Sequence, residues 1–372
     1  MLNCESEKIT ILGSGVALGV YIPALLVNYQ LRKLNLDSDV MVLENYYTDD
    51  SREKLKAYKK AYHTNFSVAL MGHKMTKDIS ASLDDNLVNN LLENWQAENR
   101  LKFIVWSGLW MPILEKYREQ IAPKKLNVDA CRIDADISAT FKINKSINQN
   151  YNEIWLWNWE QKKLIHEIPV TNQPPIPYAD RKNRFVIHGG GWGIGTYQSR
   201  IAELEAQGIL LDIVAYYPEE TERKNSGNRY FMVDPDWSPW IKNQNNQHEF
   251  PPFGEVSDLN NKNFQTKEEH HLFHDLVKQS KAIISKPGGG TLIDSLASAT
   301  PIILLEAYGY AEEKNAAIWE YLGYGISYEK WKKMNYSLEI LEQLHQNLLN
   351  KNRLINYPQQ YADRLLALSC KK

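Results

Sequence analysis

The stretch that most constrains this chain lies between positions 282 and 305, where consecutive glycines separate two apolar segments. An apolar run at 282–284 leads into Ser-Lys-Pro-Gly-Gly-Gly-Thr at 285–291, and a second apolar run follows at 301–305. Apolar residues between the two runs recur at helical spacing, so the pattern predicts a strand, a glycine loop, a helix and a second strand. A unit of this kind builds a parallel sheet with a helix on its face.

The loop has the chemistry of an anion-binding site. Its glycines let a ligand approach the main chain closely, and the helix that starts near Thr291 presents unpaired N–H groups and a partial positive charge. We therefore predict a phosphate or diphosphate site. Asp294, one turn into the helix, is near enough to reach a sugar hydroxyl of the same ligand. The alternative is a purely structural turn.

These residues resemble the donor-site signature of GT-B glycosyltransferases. The resemblance covers 285–294, Pro301 and 312–316, and it is greatest to UDP-sugar enzymes that glycosylate lipids, namely the peptidoglycan N-acetylglucosaminyltransferase and the diacylglycerol glycosyltransferases. It implies an α/β fold of GT-B type, with two Rossmann-like domains facing across a cleft. It also implies that Asp294 binds the ribose, that Glu312 contacts the donor sugar, and that the loop holds the diphosphate through Ser285, Gly288, Gly289, Gly290 and Thr291.

The two halves of the chain begin alike, each with a strand followed by a glycine loop, at 9–19 and at 184–196. Prolines concentrated at 169–177 forbid a helix there and favour an extended linker. We therefore predict four parts, which are an acceptor domain at 1–168, a linker at 169–183, a donor domain at 184–357 and a helix at 358–372 that crosses back to the first domain. By resemblance, the second glycine loop faces the donor diphosphate through Gly190, Gly191 and Trp192.

The first glycine loop departs from the GT-B pattern. Many inverting members carry a catalytic histidine directly after a glycine, and here Val20 follows Gly19. The resemblance places Gly15, Gly19 and Tyr21 on the acceptor side. The alternative interpretation is dinucleotide binding, in which Glu44 at the end of the next strand would bind a ribose.

Valine cannot take a proton, so a base must come from elsewhere. His63 and His73 are our predicted catalytic bases, and an acid in the first half of the chain is the alternative. Each histidine can also be an ordinary surface histidine. Asp134 and Asp136 follow a predicted strand, and ligands in α/β proteins bind where strands end. We therefore predict both aspartates on the acceptor side.

The predicted function is transfer of a sugar from a nucleotide diphosphate, UDP above all, to a lipid or small-molecule acceptor, with inversion. No cofactor is required. No metal site is predicted either, because the one Asp-X-Asp pattern considered, Asp134-Ala135-Asp136, falls in the acceptor half. Two alternatives stay open. One is a nucleotide-sugar epimerase on the same fold, and the other is a non-catalytic binding protein, which Val20 favours.

Composition limits the partners and the location. The net charge of −2 gives no drive toward nucleic acid, and three scattered cysteines predict a reduced, cytoplasmic protein. The apolar run at 15–27 is too short to span a bilayer, and the first eight residues do not read as a signal peptide. A basic amphipathic helix at 51–62 predicts weak peripheral contact with the inner membrane face, or else a solvated helix.

Overall fold

The computed structural model describes residues 8–16, 18–74, 79–148, 150–222, 227–256 and 263–369. Within them lie two larger sheets, one in each half of the chain, and each is flanked by helices. None of the described helices has both the length and the apolar character needed to cross a bilayer.

The N-terminal domain is built on a sheet of five parallel strands. Its strands are β1 (Ile9–Gly13), β2 (Ser38–Val42), β3 (Lys102–Val105), β4 (Asn127–Arg132) and β5 (Asn152–Trp155), in the order β2-β1-β3-β4-β5, and the short strands β6 (Trp157–Asn158), β7 (Lys163–Leu164) and β8 (His166–Glu167) follow. The helices are α1 (Leu18–Lys33), α2 (Asp49–Thr64), α3 (Phe66–Lys74), α4 (Asp85–Ala97), α5 (Met111–Gln120), α6 (Ala139–Lys142) and α7 (Lys145–Asn148). Strand β1 is buried along its whole length because both faces of the sheet are covered.

The C-terminal domain has a seven-stranded sheet. Its strands are β9 (Lys182–His188), β10 (Leu211–Ala215), β11 (Arg229–Val233), β12 (Phe253–Glu255), β13 (Ser280–Ser285), β14 (Ile302–Leu304) and β15 (Gly325–Ser327), in the order β12-β11-β10-β9-β13-β14-β15, and strand β16 (Ile355–Asn356) follows. The helices are α8 (Gln198–Ala206), α9 (Leu272–Lys278), α10 (Gly289–Ser298), α11 (Tyr310–Leu322), α12 (Tyr328–Lys333), α13 (Leu338–Leu349) and α14 (Tyr357–Ser369). Apart from the antiparallel edge strand β12, this is the doubly wound order of a Rossmann sheet.

Apolar side chains join the two domains into one core. Leu26 of α1 belongs to the same buried cluster as Leu292 and Leu296 of α10. Trp157 and Trp319 meet edge to face with ring centroids 5.2 Å apart, a favourable geometry for two aromatic rings. The cleft between the sheets is therefore closed at its base by packing.

The end of the chain returns to the N-terminal domain. Strand β16 pairs in parallel with β8. Asp129 of β4 is fully buried, accepts a hydrogen bond of 2.9 Å from the Tyr357 hydroxyl and forms an ion pair with Arg364. The last helix is therefore anchored to the first sheet by a buried carboxylate.

Two segments differ from their sequence-based interpretation. The polar stretch at 217–250 reads as a surface excursion, but β11 lies within it, and the carbonyl of Glu249 accepts a hydrogen bond from Tyr21 of the other domain. The sequence at 268–277 also predicts a helix. In the structure the helix begins only at Leu272, because His271 has an extended backbone and its side chain contacts Asp294.

Candidate functional site

A cavity of about 340 Å³ lies between the domains, at the carboxyl ends of β1, β4, β9 and β13. In the C-terminal sheet, β9 and β13 are neighbours at the point where the strand order reverses, which is where open α/β sheets bind ligands. The N-terminal domain contributes Val16, Leu18, Gly19, Val20, Ile22, Tyr62, Ile133 and Asp134 to the wall.

The loop after β13 brings the start of α10 to the cavity. Gly288 precedes the helix with an extended backbone, and no side chain of the described residues caps the helix start. The first N–H groups therefore stay open to a ligand. A side chain at Gly289 would place its Cβ 2.7 Å from Cγ1 of Ile133, so the close approach of the two domains requires glycine there.

The loop after β9 forms the opposite lip of the same cavity. Gly190 has a φ of 74°, in the left-handed region that glycine adopts without strain. A Cβ at Gly191 would lie 2.7 Å from that of Leu18 in the N-terminal domain. Gly190, Gly191 and Trp192 all line the cavity, so both glycine loops of the C-terminal domain face one space.

Lys286 lies between these two loops. Its Nζ would be 3.1 Å from a Cβ at Gly288, and its Cε would be 3.3 Å from a Cβ at Gly190. The ammonium forms an ion pair with Glu312, whose other carboxylate oxygen accepts a 2.7 Å hydrogen bond from the main-chain N–H of Tyr308. A buried lysine beside two glycine loops is suited to neutralising a phosphate.

Asp294 also lines the cavity, but its carboxylate is already engaged. It accepts hydrogen bonds of 2.9 Å from Nε2 of His271 and 3.0 Å from Nδ1 of His274. Burial alone would raise the pKa of Asp294, but the two imidazoles outweigh it and hold that pKa well below its usual range. His271 itself faces the cavity, so a ribose would meet Asp294 and His271 together.

Asp134 is the acid that the N-terminal domain contributes to the wall. Its Oδ1 accepts a 2.8 Å hydrogen bond from Nδ2 of Asn315, and Asn315 also donates to the carbonyl of Pro287 in the glycine loop. Burial raises the pKa of Asp134 to about 6, and nearby Glu312 adds to the rise, while Asn315 and Lys286 oppose it.

The structure brings together most of the predicted donor-side residues and few of the predicted acceptor-side residues. On the donor side, Ser285 alone of the predicted set is absent from the wall, because it is the last, fully buried residue of β13. The predicted residues that line the cavity are Gly19, Asp134, Gly190, Gly191, Trp192, Gly288, Gly289, Gly290, Thr291, Asp294 and Glu312.

Three predicted acceptor-side residues have structural roles instead. Gly15 lies against Pro239 and donates its N–H to Glu44. Tyr21 is fully buried and donates to a main-chain carbonyl. Oδ1 of Asp136 accepts a 2.5 Å hydrogen bond from the main-chain N–H of Ile137, the next residue in its own loop. None of the three lines the cavity.

The predicted bases lie outside the cavity as well. His63 is buried between the domains, with Nδ1 3.0 Å from the carbonyl of Gly193 and Nε2 2.8 Å from Glu220, so both ring nitrogens are occupied. His73 lies behind Tyr308 at a ring distance of 4.8 Å, and burial lowers its pKa. Neither position supports the predicted role of general base, because neither side chain reaches the cavity wall.

The dinucleotide interpretation of the first loop is wrong for a related reason. Glu44 is fully buried and accepts hydrogen bonds from the Ser14 hydroxyl at 2.6 Å and from the N–H of Gly15 at 2.7 Å and Val16 at 3.0 Å. Its carboxylate holds its own loop in shape and has no access to a ribose.

Several wall residues were missed by the sequence reasoning. Lys286 lies inside the glycine motif at 285–291, where a lysine next to an anion site is a usable signal. His271 was assigned to a helix that begins one residue later. Tyr308, Phe253 and Phe273 carry no local signal, because only the fold brings them to the cavity.

No protein-family profile matches the sequence, and no curated protein matches it either. Solved structures do match. MurG of Acinetobacter baumannii is 10% identical, with a TM-score of 0.53 over 96% of this chain and 99% of its own. SnogD, a glycosyltransferase from Streptomyces nogalater, is 12% identical, with a TM-score of 0.54 over 98% and 99%. Arabidopsis thaliana UGT89C1 in complex with UDP is 10% identical, with a TM-score of 0.55 over 98% and 100%.

These neighbours are GT-B glycosyltransferases, and the present chain has their fold along almost its whole length. The predicted fold class, two Rossmann-like domains facing across a cleft, is thereby confirmed. At 10–12% identity the likeness concerns the fold, so the chemistry has to be argued from the cavity itself.

Proposed function

We propose that the protein is a glycosyltransferase that transfers a sugar from a nucleotide diphosphate, UDP in the first instance, to an acceptor bound between the domains. One observation carries the proposal. Two glycine loops, the open start of α10 and the buried Lys286 converge on a single cavity that both domains line. Positive potential of this kind stabilises the diphosphate as it departs with the bonding electrons.

Each part of the proposed donor would contact a different part of the cavity wall. The diphosphate would lie at 288–291 and against Gly190 and Gly191, with Lys286 between the loops. Asp294 and His271 would contact the ribose, and Glu312 would contact the sugar. We propose that transfer needs no divalent metal, because the lysine and the helix start neutralise the leaving group.

The acceptor side is largely apolar. Leu18, Val20 and Ile22 of α1 line it together with Ile133. We propose an acceptor that presents one hydroxyl on an apolar body, such as a lipid or an aromatic small molecule. A lipid acceptor would bring the protein to a membrane surface, and the exposed side chains of Tyr58, Val68 and Met71 on α2 and α3 suit such contact.

The test is calorimetric titration with UDP, dTDP, GDP, ADP and NAD, each with and without magnesium. We expect micromolar binding of one nucleoside diphosphate with little change on adding magnesium. Binding of NAD alone would contradict the proposal, and so would binding of none of the five ligands.

A second candidate is a nucleotide-sugar-binding protein without catalysis, which Val20 on the cavity wall favours. Both candidates bind the donor, so turnover separates them. Release of UDP from UDP-glucose, UDP-galactose or UDP-N-acetylglucosamine supports the enzyme. Tight donor binding with no release from any of the three supports the binding protein.

A further inference from the structure

The cavity wall of the N-terminal domain holds one acid and lacks the histidine expected at position 20. Val20 and Asp134 both line this wall, and a sugar transfer from a nucleotide diphosphate needs a group that takes the proton of the acceptor hydroxyl. That group has to be a titratable side chain that reaches the cavity.

The other acids and histidines on the wall are either engaged by a neighbour or unable to take a proton. Glu312 is paired with Lys286, and His271 is hydrogen-bonded to Asp294. Nδ1 of His188 accepts a 3.0 Å hydrogen bond from the N–H of Gly190, so the proton of the neutral ring is on Nε2. Burial also lowers the pKa of His188 to about 3, so the ring is a poor base. All of these groups also belong to the C-terminal wall, on the side of the leaving diphosphate.

We propose that Asp134 is the catalytic base. This inference rests on the proposed function, because it assumes a donor diphosphate at the glycine loops. Asp134 lines the cavity from the N-terminal domain, which would hold the acceptor, and Asn315 joins it to the glycine loop that would hold the diphosphate. Among the described residues Asn315 is the one hydrogen-bond donor to its carboxylate, and it bonds Oδ1, so Oδ2 is left for a substrate proton.

Asn315 gives the carboxylate a fixed orientation. Its Nδ2 donates to Asp134 and to the carbonyl of Pro287, each at 2.8 Å, and its Oδ1 accepts from the N–H of Ala135 at 2.7 Å and from Nε1 of Trp157 at 3.2 Å. Every polar atom of the amide is used. Asn315 thus ties Asp134 to the glycine loop across the cleft, and we assign it as a positioning residue.

The proposed reaction is a single displacement at the anomeric carbon of the donor sugar. The acceptor oxygen forms a bond to the anomeric carbon while its proton moves to Oδ2 of Asp134. The bond between that carbon and the diphosphate oxygen breaks, and its electron pair leaves with the diphosphate, next to Lys286. The protonated Asp134 then releases its proton to solvent. Attack on the face of the sugar opposite the leaving group inverts the anomeric centre.

The protonation state of Asp134 suits this step. Burial and the negative charges of Glu312 and Asp136 raise its pKa, Asn315 and Lys286 lower it, and the net value is about 6. A base whose pKa lies close to the working pH is ionised and still able to hold the proton it takes. The ionised form is the active one, so activity should be lost as the pH falls through about 6.

The test measures hydrolysis of UDP-glucose, UDP-galactose and UDP-N-acetylglucosamine by the full-length protein. Water serves as the acceptor in this assay, because the natural acceptor is not identified. We expect Asp134→Asn to bind UDP within about twofold of the wild-type protein and to lose turnover by about 10²- to 10⁴-fold. Asp134→Glu should recover part of the rate. The matched control is Asp180→Asn, which removes the same charge from an exposed position outside the cavity.

The pH profile separates a base from a structural residue. For the wild-type protein, kcat/KM should rise about tenfold per pH unit below about 6 and then level off, whereas the residual rate of Asp134→Asn should be flat. Normal turnover in Asp134→Asn, with UDP bound as in the wild type, would overturn the base assignment alone. Absence of nucleotide binding in the wild-type protein would instead overturn the proposed function, and the base with it.

Discussion

Lys286 and Glu312 form a buried ion pair inside the cavity, between the two glycine loops of the C-terminal domain. In the proposed donor complex this pair has to be shared, because the diphosphate competes for the ammonium. Lys286→Met should weaken UDP binding by about 10- to 100-fold, the equivalent of one charge-assisted hydrogen bond. Calorimetry measures the change, with the exposed Lys333→Met as a control. Equal affinity in Lys286→Met would remove the lysine from the phosphate site.

Glu312→Gln should act in the opposite direction on UDP. The substitution frees Lys286 and removes a negative charge from the neighbourhood of the diphosphate, so UDP should bind about threefold tighter or better. A UDP-sugar should gain less, because Glu312 is also its proposed sugar contact. The ratio of the two affinities is therefore the informative quantity, and a uniform change for both ligands would contradict the sugar contact.

The glycine-loop half of the proposed site follows from local sequence, whereas the proposed base does not. A strand, a glycine loop and a helix are encoded within about ten residues, so the motif at 285–294 predicts its own geometry. The position of His63 depends on Gly193, which is 130 residues away, and its two ring nitrogens are used by that contact and by Glu220. Contacts across the domain interface have no local signature, so sequence alone could not tell that this histidine is structural.

The contacts of Glu44 and Lys286 likewise could not be predicted from the sequence around each residue. Glu44 stands about where a ribose-binding acid would stand, and only the fold shows that its carboxylate turns back to its own loop. Lys286 belongs to the glycine motif, but its ion-pair partner Glu312 is 26 positions further along the chain, outside that motif. Patterns in sequence identify which segments approach the cavity, and the packing of the domains decides which side chains reach it.

Asp294 is expected to serve both binding and stability. Asp294→Asn should weaken UDP binding by about tenfold through loss of one ribose contact. The substitution should also remove an acid-sensitive contribution to folding, since the pKa of Asp294 in the folded protein lies below its unfolded value of about 3.9. A depressed carboxyl pKa stabilises the fold above the unfolded pKa and loses that effect as the pH falls.

Urea denaturation at about pH 5 and about pH 3, on either side of the unfolded pKa, measures this second effect. The free energy of unfolding of the wild-type protein should fall more steeply between the two than that of Asp294→Asn, with the exposed Asp236→Asn behaving like the wild type. Parallel losses in wild type and Asp294→Asn would show that the carboxylate contributes no linkage.

The exposed apolar side chains of α2 and α3 allow a test of the membrane proposal. Arg52, Lys54 and Lys56 pair with acids on their own helix, which weakens attraction to anionic lipid, so the apolar contacts should carry more of the binding. Val68→Asp with Met71→Asp should abolish cosedimentation with phosphatidylglycerol vesicles. Leu366→Asp, at an exposed position of α14, is the control for an added charge elsewhere on the surface. Equal sedimentation of the double variant and the wild type would contradict contact through this surface.

Arg181 fastens the end of the linker to the C-terminal domain. Its buried guanidinium donates to the carbonyls of Ile176 at 3.0 Å, Ser280 at 3.1 Å and Ser298 at 2.6 Å, and to the hydroxyl of Thr300 at 2.6 Å. Arg181→Met would remove all four of these hydrogen bonds, and we expect a loss of about 3 kcal/mol in the free energy of unfolding.

Thermal unfolding checks this prediction. A loss of that size should lower the melting temperature by roughly 4 °C in a chain of this length. Lys182→Met, which removes the neighbouring exposed cation, should leave it nearly unchanged. UDP binding measured well below the transition should stay normal in both variants, because neither side chain lines the cavity. A normal melting temperature with weakened UDP binding would mean that Arg181 controls the geometry of the donor site and contributes little to the stability of the fold.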